Sequence, residues 1–327
     1  MPSELSCDNA PLFIILNAGS GHEETESQRA IIIEALSRSG REFELAVLDE
    51  PSRLDAMAER MAAIAVDVGG ILVAAGGDGT INAVAQKAVA AGCPFGVLPQ
   101  GTFNYFGRAH GIPEDLGEAV EALLTGSLHP VQVGMVNQRI FLVNASLGLY
   151  PTVLEERERD KGQYGRSRLV ALLSMLKTAL GSTRYLRISL EVDGRETVIR
   201  TPTLFVGNNA LQVERLGLPL TGEIEDGKLA AVAPRPVGRL GMLWLMLRGA
   251  LGRLHQADEL RAFSFRKLTV KQRGFARRGR IKVATDGEVN VLATPLHFSV
   301  LPRHLLLVKP APKASPAPDP ETQAAFG

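Results

Sequence analysis

The sequence predicts an α/β domain with a parallel sheet, followed by a second, β-rich domain. Three observations carry that prediction. Over the first third of the chain, short apolar runs alternate with segments of helical spacing. Glycine-bearing loops follow three of those runs. Past about residue 130 the pattern changes to a period of two, with an Asp-Gly turn signal between two such runs.

Taken in order, "PLFIIL" (11–16) reads as a buried strand that opens into the loop "NAGSGH" (17–22). "ESQRAIIIEALSRSG" has helical spacing and stops at Gly40, a natural C-terminal cap. "EFELAVL" (42–48) alternates as a strand does, and "SRLDAMAERMAAIA" (52–65) is helical with Ser52 as its N-cap. "GILVAA" (70–75) is a buried strand, "TINAVAQKAVAAG" (80–92) a helix closed by Gly92, and "FGVLP" (95–99) another strand. Strands separated by helices of this length imply a parallel sheet with right-handed crossovers. Further on, "LRISLEV" (186–192), Asp193-Gly194 and "RETVIRT" predict a hairpin, and "LTVKQ", "RIKVAT" and "LHFSV" continue the strand period. Two longer apolar segments interrupt, "SRLVALLSMLKTALG" (167–181) and "LGMLWLMLRGALGRL" (240–254). The tail "KPAPKASPAPDPETQAAFG" is rich in proline and alanine, and disorder is the expectation there.

Bulk properties agree with two globular domains. The chain has 327 residues, is 45% hydrophobic and 22% charged, and carries a formal net charge of +1. That balance argues against a dedicated nucleic-acid binder. Cys7 and Cys93 offer neither metal-ligand spacing nor a disulfide framework, and Cys93 beside a core strand reads as a small buried hydrophobe. "MPSELSCDNA" lacks the basic segment and apolar core of a signal peptide, and no apolar run reaches the roughly 18 residues of a membrane span. A cytoplasmic protein is expected.

The loop "GGDGT" (76–80) carries the first functional signal. Gly76, Gly77 and Gly79 remove the side chains that would block a ligand, and Thr80 opens a helix whose N-terminus attracts anions. No lysine follows in Walker spacing, so this is not a P-loop. Asp78 would repel a phosphate unless Mg²⁺ lies between them, or unless it meets the hydroxyl that is being phosphorylated. The alternative is a structural turn in which Asp78 caps a backbone amide. "LPQGTFNYFGR" (98–108) adds Gly101, Thr102 and Asn104, and "NAGSG" adds Asn17, Gly19, Ser20 and Gly21. All three loops fall at the carboxyl ends of strands, where such sheets bind ligands, and together they point to a bound nucleotide.

With these motifs in hand, the sequence resembles the diacylglycerol kinase catalytic-domain family, which includes bacterial lipid kinases and sphingosine kinases. "LNAGSG", "GGDGTINAV", "LPQGTFNYFGR" and "TDGEV" (285–289) appear in the family's order, and "VNASLGLYP" (143–151), "YGRSRL" (164–169) and "LFVGNN" (204–209) resemble its second domain. The resemblance implies an NAD kinase/diacylglycerol kinase-like α/β domain over residues 1–132, rejoined by about 302–310. It implies a β-sandwich lipid-substrate domain over 133–301, with 311–327 left as a tail. It further implies ATP and Mg²⁺ in the cleft and transfer of the γ-phosphate to a lipid hydroxyl. Gly76 to Asn82 and Thr102 would hold the nucleotide, and Asp286 and Glu288 would carry the general base, with Asp78 sharing base or metal duty.

The chain also departs from the family's pattern. Ala18 stands where the family usually has proline, and Asn104 precedes Tyr105 where the family continues Asn-Asp. In "EDGKLAA" (225–231) Asp226 is kept as a metal-ligand candidate, but Ala230 replaces the second acid. On residue pattern alone, Asp286-Gly287 reads first as a plain hairpin turn.

A lipid kinase must reach a membrane surface, so peripheral attachment is expected. The nearly apolar circumference of 240–254 predicts a helix buried on the second domain, and an interfacial helix with Trp244 is the alternative. The stretch 261–282 holds nine basic residues and no acid, which suits anionic lipid or single-stranded nucleic acid, or simply a solvated face of alternating strands. The histidines show no ligand spacing. Competing readings are an NAD kinase-like soluble kinase, since that family shares "GGDGT", and a non-catalytic nucleotide- or lipid-binding protein. The sequence expects no nucleic-acid partner and leaves the acceptor lipid and a homodimer open.

Overall fold

The computed structural model describes residues 9–18, 22–152, 154, 185–192, 194–250, 252–254, 257–272 and 279–311. Gly19, Ser20, Gly21, the apolar segment 167–181 and the tail beyond 311 lie outside the described residues.

Strands β1 (Leu12–Asn17), β2 (Phe43–Leu48), β3 (Ile71–Gly76) and β4 (Phe95–Pro99) are parallel and ordered β2-β1-β3-β4. Helices α1 (His22–Ser39), α2 (Leu54–Val68) and α3 (Asp78–Ala91) connect them. The chain runs from β1 out to β2, then back across β1 to β3. Right-handed crossovers therefore place α1 and α2 on opposite faces, and the winding reverses between β1 and β3. Every residue of β3 and β4 is buried, as expected of strands covered on both faces. Gly40 (φ 69°) and Gly92 (φ 75°) take the left-handed backbone that ends α1 and α3, as their positions predict. Ser52 is not the N-cap that the sequence suggests. Pro51 starts a 3₁₀ turn over Pro51–Arg53, and α2 begins only at Leu54 without a side-chain cap.

After α4 (Tyr105–Ala109) and α5 (Leu116–Thr125) the chain turns to antiparallel strands. These are β5 (Ser127–Val136), β6 (Arg139–Phe141), β7 (Asn144–Gly148), β8 (Leu186–Val192), β9 (Arg195–Thr201) and β10 (Thr203–Gly207). Two short helices follow, α6 (Ala210–Arg215) and α7 (Thr221–Glu225), then β11 (Leu229–Pro234), α8 (Arg239–Ala250), β12 (Leu260–Phe265) and β13 (Lys267–Gln272). The last strands are β14 (Arg280–Thr285), β15 (Glu288–Ala293) and β16 (Leu296–Lys309). The predicted hairpin forms: Val192 pairs with Arg195, which leaves a two-residue turn.

Among the described residues the strands make two sheets. One, of ten strands, runs β2-β1-β3-β4-β16-β13-β8-β9, with β5 paired to β16 and β6 to β5. The other, of six, runs β12-β11-β10-β7-β14-β15. The long β16 is the seam. Leu307 pairs in parallel with Phe95 of β4, while Leu296 to Ser299 pair antiparallel with β13. One core lies around β1, β3 and β4 and takes Leu305, Leu307 and Val308 from β16. A second lies between the two sheets, where Ile188, Leu268 and Phe298 meet Leu147, Val206 and Val283. The protein thus has an N-terminal α/β part with parallel strands and an antiparallel, β-rich C-terminal part.

Two sequence expectations change here. The basic stretch 261–282 is split between two sheets, with β12 and β14 in the six-stranded one and β13 in the ten-stranded one, and 273–278 is outside the described residues. Helix α8 is not fully buried: Leu240 is 81%, Trp244 51% and Leu247 49% exposed, while Leu245 on the other side is buried. An apolar pattern on every side cannot show which side the fold leaves open.

Candidate active site

Register brings the glycine loops together. Gly76 at the end of β3 pairs with Pro99 at the end of β4, and Gln100 N donates to Gly76 O at 2.9 Å. The loops then touch through glycine. A Cβ on Gly101 would lie 2.9 Å from Gly77 Cα and 2.9 Å from Asn104 Oδ1, so only a residue without a side chain fits. Asn104 adopts φ 46° and accepts from Gly101 N at 2.8 Å, which closes the 101–104 turn. Asn17 at the tip of β1 donates Nδ2 to Thr80 Oγ1 at 2.7 Å, which ties the first loop to the start of α3. Gly77, in the N-cap position of α3, supplies no side-chain cap, so the first-turn amides are available to an anion. Beside this edge lies a cleft of about 420 Å³ lined by Gln28, Gln100, Gly101, Thr102 and Asn104. Gln28 Oε1 and Gln100 Nε2 have no hydrogen-bond partner in it.

Asp78 sits in the first turn of α3 but turns toward the 105–106 backbone, accepting from Tyr105 N and Phe106 N at 3.4 Å each. Burial raises its carboxyl above the ordinary value, and those amides pull the other way. The capping reading of Asp78 therefore describes a real contact, and each oxygen keeps a lone pair for another partner.

The late Asp-Gly pair is both a turn and a site element. Thr285 pairs with Glu288, and Asp286 (φ 47°) and Gly287 (φ 93°) form the two-residue turn between β14 and β15. The Asp286 carboxylate faces the entry to β7. Oδ2 accepts from Leu142 N at 2.7 Å and from Asn82 Nδ2 at 2.7 Å. Oδ1 accepts from Val143 N at 2.9 Å and Asn144 N at 2.8 Å. Burial pushes the carboxyl up to about 6 against the pull of those four donors. That value would suit a base near neutral pH, but a carboxylate has about four lone-pair positions and all are in use. Glu288 differs. It is exposed, and its Oε1 would lie 3.3 Å from a Cβ on Gly79, so it stands over the tip of the glycine loop.

Asn17, Gly76 to Thr80, Asn82, Gly101, Thr102, Asn104, Asp286 and Glu288 are thus gathered at one edge, though they span most of the chain. Asp226 is not among them. It is exposed, and the backbone carbonyls of its loop are occupied: Arg266 Nη2 and Nη1 donate to Asp226 O and Gly227 O at 2.9 Å each, and Gln132 Nε2 to Lys228 O at 3.1 Å. Ala230 is fully buried and has no side-chain oxygen to offer. The Arg266 guanidinium thus already serves the carbonyls of 226 and 227, and position 230 offers no carboxylate. Among the described residues no group of three or more His, Cys, Asp or Glu is placed to hold a metal ion.

Comparison with known proteins locates these features. The diacylglycerol kinase catalytic domain model matches residues 11–136. A Pseudomonas aeruginosa protein named "Probable lipid kinase YegS-like" is 30% identical over 259 residues, 74% of this chain and 78% of that one. The chain belongs to the diacylglycerol kinase catalytic-domain family. A diacylglycerol kinase of Bacillus subtilis is 29% identical over 328 residues, covering 94% of this chain and 98% of its own length. The crystal structure of a diacylglycerol kinase from Bacillus anthracis superposes with a TM-score of 0.66 at 17% identity, over 93% of this chain and 98% of that one, which shows the shared fold.

Sequence reasoning missed several supports of this family site. These are the amides of 142–144, Asn209, whose Nδ2 donates to Tyr105 O at 3.0 Å, and Arg215, whose guanidinium lies 5.5 Å from the centre of the Tyr105 ring. The segments "VNASLGLYP" and "LFVGNN" marked the first two, but a backbone amide leaves no residue-type signal.

Proposed function

We propose that this family member is an ATP-dependent lipid kinase that moves the γ-phosphate of ATP to a lipid hydroxyl, with diacylglycerol the first acceptor to test. The supporting observation is the contact of Gly77 with Gly101 at the uncapped start of α3, with the Glu288 carboxylate over Gly79. Phosphates would lie on the amides of 77–80, where the helix end favours negative charge, and beside Thr102. Asn17, Gly19, Ser20 and Gly21 would border the nucleotide, and Asn104 would hold its loop in shape.

Mg²⁺ fits this donor set, because it is usually held by one or two carboxylates together with substrate phosphates, and Asp78 is the acid to hold it. Bound there, the ion would offset the charge on the phosphate oxygens. The chain's own groups do the rest. Glu288 takes the proton of the acceptor hydroxyl as that oxygen bonds to the γ-phosphorus and the bond to the β-phosphate oxygen breaks, releasing ADP. Asp286 acts as a positioning residue: with all its lone pairs engaged, it fixes 142–144 and Asn82 and so holds the turn that presents Glu288.

The test is incubation with γ-labelled ATP and Mg²⁺ against diacylglycerol, a sphingoid base, phosphatidylglycerol, an isoprenoid alcohol and NAD in parallel. Label in a lipid supports the reading. Label only in NADP overturns it in favour of a soluble NAD kinase-like enzyme.

A further inference from the structure

Helix α8 carries an apolar stripe that the fold leaves open. Leu240, Trp244 and Leu247 are 81%, 51% and 49% exposed. At 3.6 residues per turn they fall within about 60° of one another, with Leu245 turned away into the core. Arg248 flanks the stripe, with its guanidinium 5.1 Å from the centre of the Trp244 ring, and Arg235 and Arg253, beyond the two ends of the helix, are exposed. Over 235–254 there are four arginines and no acid.

We propose that this face of α8 is the surface by which the protein lies on an anionic bilayer. The inference rests on the reading that the acceptor is a lipid. A narrow apolar ridge with a central tryptophan, one arginine beside it and others beyond both ends matches the interface between acyl chains and headgroups. The ridge enters the hydrocarbon boundary, and the arginines extend their stems along it to reach lipid phosphates. A second copy of the chain fits less well, since a two-fold contact through this stripe would bring arginines toward arginines.

The position of α8 relative to the site fits the same role. Its C-terminal end returns to α6: Leu254 N donates to Leu216 O at 3.2 Å, and Gly217 packs against the Gly252 carbonyl so closely that a Cβ there has no room. Helix α6 in turn meets the glycine-loop side of the cleft, through Asn209 to Tyr105 O and Arg215 over the Tyr105 ring. Helix α8 is thus tied through α6 to the loop that carries Asn104 and Tyr105.

Trp244 is the chain's one tryptophan, so its emission reports on this helix alone. The full chain is titrated with vesicles of phosphatidylcholine, with and without phosphatidylglycerol, and with acyl-brominated lipid as a quencher. The expected result is a blue shift and quenching of Trp244 with phosphatidylglycerol vesicles, reduced by salt. In a Leu240→Glu, Leu247→Glu double variant, partition should fall at least about tenfold with melting unchanged. Three results would overturn the proposal: no cosedimentation with anionic vesicles, cosedimentation with Trp244 still in water, or a blue shift that follows protein concentration without lipid. Vesicle binding needs no turnover, so a chain that docks through α8 but transfers no phosphate would count against the kinase reading alone.

Discussion

Two acids two residues apart, Asp286 and Glu288, have different surroundings, and this is where sequence and structure separate most clearly. The "DGE" stretch marks both as candidates, but only the structure shows that three successive amides and Asn82 fill one carboxylate while the other stands open over Gly79. Their substitutions should therefore fail differently. Glu288→Gln should lower transfer about 10²- to 10⁴-fold while leaving ATP affinity and melting temperature as they are. Asp286→Ala strands four donors, and chemical denaturation should show a loss of about 3 kcal/mol or more, together with faster amide exchange at 142–144. Equal stability in Asp286→Ala would remove the clamp from the account. His110 gives a pH prediction. Burial, with the Lys309 charge adding to it, holds its imidazole down at about 4 from 6.5, so the folded state binds the proton less readily than the unfolded chain. Stability should then fall as pH drops through 6.5 toward 4, and His110→Phe, which keeps a ring beside Phe106, should lose less melting temperature over that range.

Among the elements, those encoded locally were legible and those set by distant partners were not. Apolar β3 and β4, the helix ends at Gly40 and Gly92, and the hairpin after Val192 each follow from a few neighbouring residues. Ser52 misled because Pro51 starts a tighter turn just before it. The "EDGKL" loop is a case of another kind: its own residues say nothing of Arg266, which comes from the corner between β12 and β13. Since that guanidinium already occupies the loop carbonyls, a chelator should leave the melting temperature of the wild type unchanged. Arg266→Ala should lower stability by about 1 kcal/mol, the modest value expected where water can replace the exposed donor. A wild-type melt that drops in chelator and recovers with Mg²⁺ would show that a metal site survives there.

For the whole molecule, β16 joins what the sequence presents as two domains. It lies beside β4 in the parallel part and beside β13 in the antiparallel part, and it contributes side chains to both main cores. A fragment of residues 1–132 would expose the β4 edge and lose Leu305, Leu307 and Val308 from its core, so it should show no cooperative melt. A sharp transition in that fragment would mean that the α/β part is complete without the seam. The glycine-loop edge depends on the same joining, because Glu288 and Asp286 reach Gly79 and Asn82 from strands near the other end of the chain. The central claim is that these glycine loops form the phosphate cradle of a kinase, and the most direct measurement is a crystal structure with a non-hydrolysable ATP analogue and Mg²⁺. The account predicts phosphate oxygens on the amides of 77–80 and beside Thr102, with Asp78 and Glu288 beside the γ-phosphate. Nucleotide bound elsewhere, or an edge left empty at saturating analogue, would contradict it.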